Sequence, residues 1–353
     1  MTGFPERIDQ ITPDWLTEIL RAQSLLGAQS VSGLTATRIG EDQGFTGGGL
    51  YRLHLSIDAP APNAPASMVA KTAPLDPAMR QTFALANGRE VQFYRDFADP
   101  ALPVPRSYFS ADDPDTGASL ILQEDLSDLR GEAFRVGLPA EDAMKAITAL
   151  AQIHARWWNA PELAALSGAA TMDDYSLADY WPGYPERIAD ILPDLPLPPR
   201  FLRLCDFYAS HEADIFQQLA ETAPLTCLHR DIQVDNILFN ETAAKLIDWQ
   251  FLGKGLPAWD VTFFCASSLA PENRRKHEIA LLDRYHDTLG QPGYSRVDLD
   301  ADYRKCIFGK ISLSIAATMV LDNSSAFKRQ WRRADLTRML AFIEDHDITP
   351  EIY

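Results

Sequence analysis

Apolar and polar positions alternate along "LYRLHLSI", with Tyr51, Leu53, Leu55 and Ile57 on one face and Arg52, His54 and Ser56 on the other, the period of a half-buried strand. Ahead of it, "TPDWLTEILRAQ" repeats apolar Trp15, Leu16, Ile19 and Leu20 at helical spacing, with Thr12 placed to cap a helix and Pro13 at its first position. "SMVAK" reads as a short strand ending at Lys71, and "RQTFALANGREVQFYRDFA" as a helix around Glu90, Val91, Phe93 and Tyr94. "PRSYFS" and "SLILQED" add further strands. From Glu141 onward the pattern turns helical: Ala143, Met144, Ile147, Leu150, Ala151, Ala155 and Trp158 share one face of a helix running through "ALAQIHARWW". The prolines between Tyr180 and Arg200 break that stretch into short helices and loops, and Ile311 to Leu321 reads as a buried helix.

This order predicts an α+β protein with two lobes: residues 1–127, a small antiparallel-sheet lobe, and residues 128–353, a mostly helical one. With 46% hydrophobic and 23% charged residues, the chain has the composition of a globular protein. The formal charge of −17 argues against nucleic acid as a partner, which demands basic surface. No apolar run reaches the roughly 20 residues of a membrane span, and the amino-terminal stretch is broken by charges, so no membrane partner and a cytoplasmic location are expected. Cys205, Cys227, Cys265 and Cys306 are too scattered for a zinc site or a disulfide framework.

The chemistry concentrates in "LHRDIQVDNILFNETAAKLIDWQ". His229, Arg230 and Asp231 are followed five residues after the aspartate by Asn236, the H-R-D-x-x-x-x-N spacing that supplies a base and a metal-binding amide in kinases, and Asp248 comes twelve residues after Asn236. The runs "ILF" and "KLID" predict a hairpin turning near Asn240 and Glu241. Such a ribbon is expected to bring Asn236 opposite Asp248, two oxygen donors suited to Mg²⁺.

On these residues the chain resembles the aminoglycoside phosphotransferase and choline-kinase-like families, most closely the ecdysteroid-kinase-like group: "LHRDIQVDNILF" is followed by "LIDWQFLGKGLPAWDVTFF", "IHARWW" resembles that group's helix before the catalytic loop, and "NGREVQFYRDF" its glutamate-bearing helix. The likeness in element order runs over most of residues 10 to 345, and its specific motifs lie within 228 to 264. It implies a protein-kinase-like fold. It further implies Lys71 on the nucleotide phosphates, Glu90 holding that lysine, and the loop from Gly44 through Gly47, Gly48 and Gly49 approaching the phosphates by its backbone. The hinge would contact adenine through the Glu124 carbonyl and the Leu126 amide, and Asp260 would support the catalytic loop. Arg230 departs from the bacterial antibiotic kinases, which commonly carry Gly there, and the eleven residues between Asp248 and Asp260 leave no activation loop of the protein-kinase kind, so no protein substrate is expected.

The implied function is transfer of the γ-phosphoryl of ATP, or alternatively GTP, to a hydroxyl of a small molecule, with Asp231 as base and Mg²⁺ held by Asn236 and Asp248. An inactive nucleotide-binding regulatory module is the alternative, and a metal-dependent phosphohydrolase using Asp231 and Asp248 a third reading that leaves Lys71, Glu90 and the glycines unexplained. Tyr180, Trp181 and Tyr184 are candidates to wall an acceptor pocket, whereas Trp157 and Trp158, on an apolar stripe, and His154 are expected in the core.

Overall fold

The computed structural model describes residues 3–40, 48–166, 177, 179–319 and 323–353. The described chain divides into two compact units, residues 1–128 with 248–251, and residues 129–247 with 252–353.

In the first unit, helix α1 (Pro13–Ala22) opens with the Thr12 hydroxyl accepting the Trp15 amide at 3.2 Å and Pro13 in its first turn, satisfying one of the donors a helix start leaves open. Strands β1 (Val31–Arg38), β2 (Gly49–Ile57) and β3 (Ser67–Thr72) follow, then helix α2 (Pro77–Gln92), a π-helical turn (Phe93–Phe97), and strands β4 (Ser107–Asp113) and β5 (Ala118–Glu124). The five strands form one antiparallel sheet in the order β1-β2-β3-β5-β4. The alternation in β2 has the consequence its period demands: Leu53 is fully buried, Tyr51, Leu55 and Ile57 pack on the same core, and α1 closes it through Leu16, Ile19 and Leu20. Arg52 on the opposite face pairs with Asp125 at 2.9 Å, and Ser67 donates to the same carboxylate at 2.7 Å, tying the end of β5 to β2 and β3.

The second unit is mostly helical: α3 (Ala140–Arg156), α4 (Tyr184–Ile191), α5 (Pro199–Glu221), then strands β6 (Thr226–Leu228), β7 (Ile237–Phe239), β8 (Ala244–Leu246) and β9 (Gly253–Gly255), and helices α6 (Ala258–Ser268), α7 (Pro271–Leu289), α8 (Arg296–Lys305), α9 (Ile307–Met319) and α10 (Ala326–Asp345). β7 and β8 form the expected hairpin, whose turn is held by Asn240 Oδ1 accepting the amides of Thr242 and Ala243 at 2.9 and 2.7 Å. β6 pairs with β9, so the segment between β6 and β7, which carries Asp231 and Asn236, is anchored at both ends by short ribbons.

Three aromatic positions differ from expectation. α3 stops at Arg156, so Trp157 is buried as its C-cap while Trp158 is only half-buried against Tyr294. Trp181 and Tyr184 do not wall an opening: both are fully buried, the indole N–H of Trp181 donating to Glu212 at 3.0 Å and the Tyr184 hydroxyl to Ser314 at 2.9 Å. Buried aromatics with a satisfied polar tip are core, and the proline-broken sequence around them concealed that.

Candidate active site

Lys71 is the penultimate residue of β3, the central strand of the sheet, and its ammonium lies 2.6 Å from Glu90 of α2 and 2.9 Å from Asp248. All three belong to the first unit. Glu90 is 2% exposed, the Lys71 side chain 22% and the Asp248 side chain 38%, so the cluster is dry on its Glu90 side and open on its Asp248 side. Burial works against the Lys71 charge, but Asp248 and Glu90 outweigh it and hold its pKa above the ordinary lysine range. Burial pushes the Glu90 carboxyl up to about 7, Asp248 adding repulsion and Lys71 opposing both. The π-helical turn after α2 presents Phe93 flat against Trp249, centroids 3.7 Å apart, and the Glu90 carboxylate of α2 accepts the Trp249 amide, while the ion pair to Asp248 comes from Lys71 of β3.

The glycine loop is described only at its end. Gly47 lies outside the described residues. A Cβ on Gly48 would meet the Thr72 carbonyl at 2.8 Å, and one on Gly49 the Tyr51 ring at 2.4 Å and the Thr72 hydroxyl at 2.7 Å. These glycines are therefore required by the close approach of β2 to β3, whatever else they contact. Glu124 ends β5 with its amide bonded to the Arg106 carbonyl at 2.8 Å and its carboxylate accepting the Arg106 amide at 3.2 Å; Leu126, just beyond, is half-buried.

In the second unit, the His229–Arg230–Asp231 segment is organised by Asp260 near the start of α6. Its fully buried carboxylate accepts the His229 amide at 2.6 Å and the Arg230 amide at 2.8 Å, and lies 3.3 Å from His154 Nε2, whose Nδ1 is 2.6 Å from the Tyr285 hydroxyl. These charge-assisted bonds hold Arg230 at φ 62°, a left-handed conformation that costs a side-chain-bearing residue roughly 1–2 kcal/mol. The Arg230 guanidinium packs on Gly253, where an added Cβ would stand 2.8 Å from its Nε. The histidine ring of His229 bonds the Ile247 carbonyl at 2.9 Å.

Downstream, Asn236 Nδ2 donates to the Asp231 carbonyl at 2.8 Å and to Asp231 Oδ2 at 3.1 Å. With its nitrogen so engaged, the amide has only its oxygen left to offer a further partner. The Ile247 amide donates to the Asn236 carbonyl at 3.0 Å, extending the β7–β8 ladder to the residue before Asp248, itself at φ 66°. The donor types are hard oxygens, a carboxylate and an amide, which fit a magnesium-class cation better than a softer metal. Asp235 is bound by the Trp331 indole N–H of α10 at 3.1 Å.

The part played by His154 was not legible beyond its place on an apolar helix face, because Asp260 and Tyr285 are more than a hundred residues away in sequence. Equally hidden was the contribution of α10, which carries no motif.

Comparison with known proteins bears on this arrangement. An uncharacterized kinase-like protein of Caenorhabditis elegans is 25% identical over 218 residues, covering 57% of this chain and 56% of its own length, so the chain spans about half the length of that curated relative. Among solved structures, the amicoumacin kinase hAmiN in complex with AMP-PNP, Ca²⁺ and Ami is similar with a TM-score of 0.51 at 11% identity, covering 94% of each chain. A Plasmodium vivax ethanolamine kinase is similar with a TM-score of 0.50 at 10% identity, covering 93% of this chain and 87% of its own. These likenesses establish the kinase-like fold, a five-stranded antiparallel lobe and a helical lobe. The family model of the phosphotransferase enzyme family, APH, matches residues 63–299, from the approach to β3 to the middle of α8, and the chain belongs to that family.

Proposed function

We propose that the protein is a small-molecule kinase that moves the γ-phosphoryl group of ATP to an alcohol, ROH + ATP → ROPO₃²⁻ + ADP + H⁺. The observation that carries this reading is the Lys71–Glu90–Asp248 cluster, a buried acid fixing a lysine beside a half-exposed carboxylate. A lysine so held is a fixed positive charge for phosphate oxygens, and phosphoryl transfer depends chiefly on positioning and charge neutralisation. Membership of the phosphotransferase family and the likeness to kinases of small molecules, one in complex with AMP-PNP and Ca²⁺, support the same reading.

In this mechanism Lys71 orients the α- and β-phosphates, and the main-chain groups of Glu124 and Leu126 receive the adenine. Asp231 accepts the acceptor hydroxyl's proton as the oxygen attacks phosphorus in line and the bond to the β-phosphate oxygen breaks. Asn236 and Asp248 would hold Mg²⁺, which when bound neutralises charge on the β- and γ-phosphates. The loop amides held by Asp260 keep Asp231 in register, so Asp260 and His154 are positioning residues.

The test is ADP formation from Mg·ATP across a panel of alcohols, with product phosphate located by mass spectrometry. Acceptor-dependent ADP release that falls ~10²- to 10⁴-fold in Asp231→Asn and Asp248→Ala is expected. Nucleotide binding with no turnover above that of Asp248→Ala would establish the inactive regulatory module instead.

A further inference from the structure

Beyond residue 299, where the family match ends, α9 and α10 bury a charge cluster that the phosphotransferase reading does not use. Lys310 of α9 pairs with Asp335 of α10 at 2.6 Å; Ser314 reaches the other carboxylate oxygen at 3.4 Å and in turn accepts the Tyr184 hydroxyl. Arg338, from the same face of α10, is consumed by main-chain carbonyls of Ser267, Phe134 and Arg135 at 2.7, 2.6 and 3.2 Å. Arg332 is different. It is 2% exposed, its Nη1 stands 3.6 Å from Asp335, and neither its Nε nor its Nη1 meets a hydrogen-bond acceptor among the described residues.

Among the described residues, Asp335 thus faces two cations with one negative charge, and the guanidinium left over keeps buried donors that meet no acceptor. A buried group of that kind costs about 1–3 kcal/mol, more when charged, and a protein has reason to keep it where a ligand completes the pairing. The position suits a substrate. The half-buried Trp331 ring lies 4.9 Å from the Arg332 guanidinium, and its indole N–H holds Asp235, the residue before Asn236. The Trp331 ring thus touches both the guanidinium and the segment that carries Asp231 and Asn236.

We infer that Arg332 is an acceptor-binding residue that pairs with an anionic group, a carboxylate or phosphate, on the alcohol to be phosphorylated, so that the acceptor class is hydroxy acids or phosphorylated alcohols and not the amines that the chain's acidic charge would attract. The inference rests on the kinase reading for its word acceptor, but anion binding is measurable without turnover. A guanidinium offers two parallel donors to a planar carboxylate, which explains an arginine where a second lysine would balance the same charge.

The experiment titrates the full-length protein with 3-hydroxybutyrate, 4-hydroxybutyrate, mandelate and glycerol 3-phosphate, against the primary amides of the three acids and glycerol, following tryptophan fluorescence and thermal stability. At least one anion is expected to bind and its uncharged counterpart not, with affinity falling ~30-fold or more in Arg332→Met and partly restored in Arg332→Lys. With Mg·ATP, the same anions should be phosphorylated in preference to their counterparts. Wild-type protein that binds none of the anions, or binds them no better than the uncharged set, overturns the inference with no variant needed; so does a preference that survives in Arg332→Met. Anion binding without ADP formation from any alcohol leaves this site standing and defeats the kinase reading, whereas phosphorylation of alcohols blind to their charge does the reverse.

Discussion

Asp260 and Asp335 are both fully buried carboxylates in the same helical unit, yet they are solvated in opposite ways. Asp260 is surrounded by dipolar donors, two main-chain amides of the loop carrying Asp231 and the His154 imidazole of α3. Asp335 is surrounded by cations, Lys310 and Arg332, and the set retains donors it does not use. The contrast teaches how to separate a scaffold from a binding surface. A saturated network fixes a conformation and can do nothing more, whereas a network with unspent buried donors has capacity for a further partner.

Removing the first carboxylate should have the larger effect. Asp260→Ala strands the His229 and Arg230 amides and releases the left-handed backbone at Arg230, so unfolding in urea should show a loss on the order of 4 kcal/mol, with turnover lost even where the variant remains folded. Asp335→Asn is expected to cost about 3 kcal/mol by leaving Lys310 and Arg332 facing no anion. Arg332→Met, which removes the surplus charge, should be neutral or stabilising in the same assay. Equal losses from these two variants would erase the distinction between the clusters.

Glu278, a half-buried carboxylate of the same unit, lies between the two cases. It is approached by Arg274 at 2.9 Å, His346 at 3.1 Å and the Tyr303 hydroxyl at 2.6 Å, cationic and dipolar donors together. Burial opposes its ionisation, but His346 and Arg274 outweigh burial and bring its pKa down to about 2. Because the folded-state value lies below that of the unfolded chain, its stabilisation is present above about pH 4.3 and is lost as pH falls toward 2. The stability difference between wild type and Glu278→Gln, on the order of 2 kcal/mol at pH 6, should shrink across that window. A difference independent of pH would show that the carboxylate's charge contributes nothing.

Among the variants expected to lose stability, the smallest loss is at Trp331. Trp331→Phe keeps a ring against Phe134, stacked at 4.2 Å in the wild type, and removes the indole N–H from Asp235. A stability loss of about 1 kcal/mol is expected. If the bond positions Asn236, kcat should fall with KM for ATP unchanged; a rise in both would make the contact merely structural.

Much of the architecture was legible because local patterns and local demands coincide. The alternation in "LYRLHLSI" became β2, Thr12 and Pro13 began α1, and the runs "ILF" and "KLID" fall at the β7–β8 hairpin. Trp181 and Tyr184 were misleading for a physical reason: prolines around them mark irregular backbone, and irregular backbone can still bury a side chain when α9 supplies a partner such as Ser314. The candidate site divides likewise. Lys71, Glu90, Asp231, Asn236 and Asp248 announce themselves by type and order, whereas His154, Trp331 and Arg332 have no signature.

By itself, then, the order of residues determined which segments become strand or helix and which polar side chains are candidates for phosphoryl chemistry, because periodicity and short spacings act within a few residues. Tertiary structure alone decided which carboxylate each buried cation meets and which donor is left without one. Charge compensation is a property of groups brought together from α4, α9 and α10, and no window of sequence contains all of them.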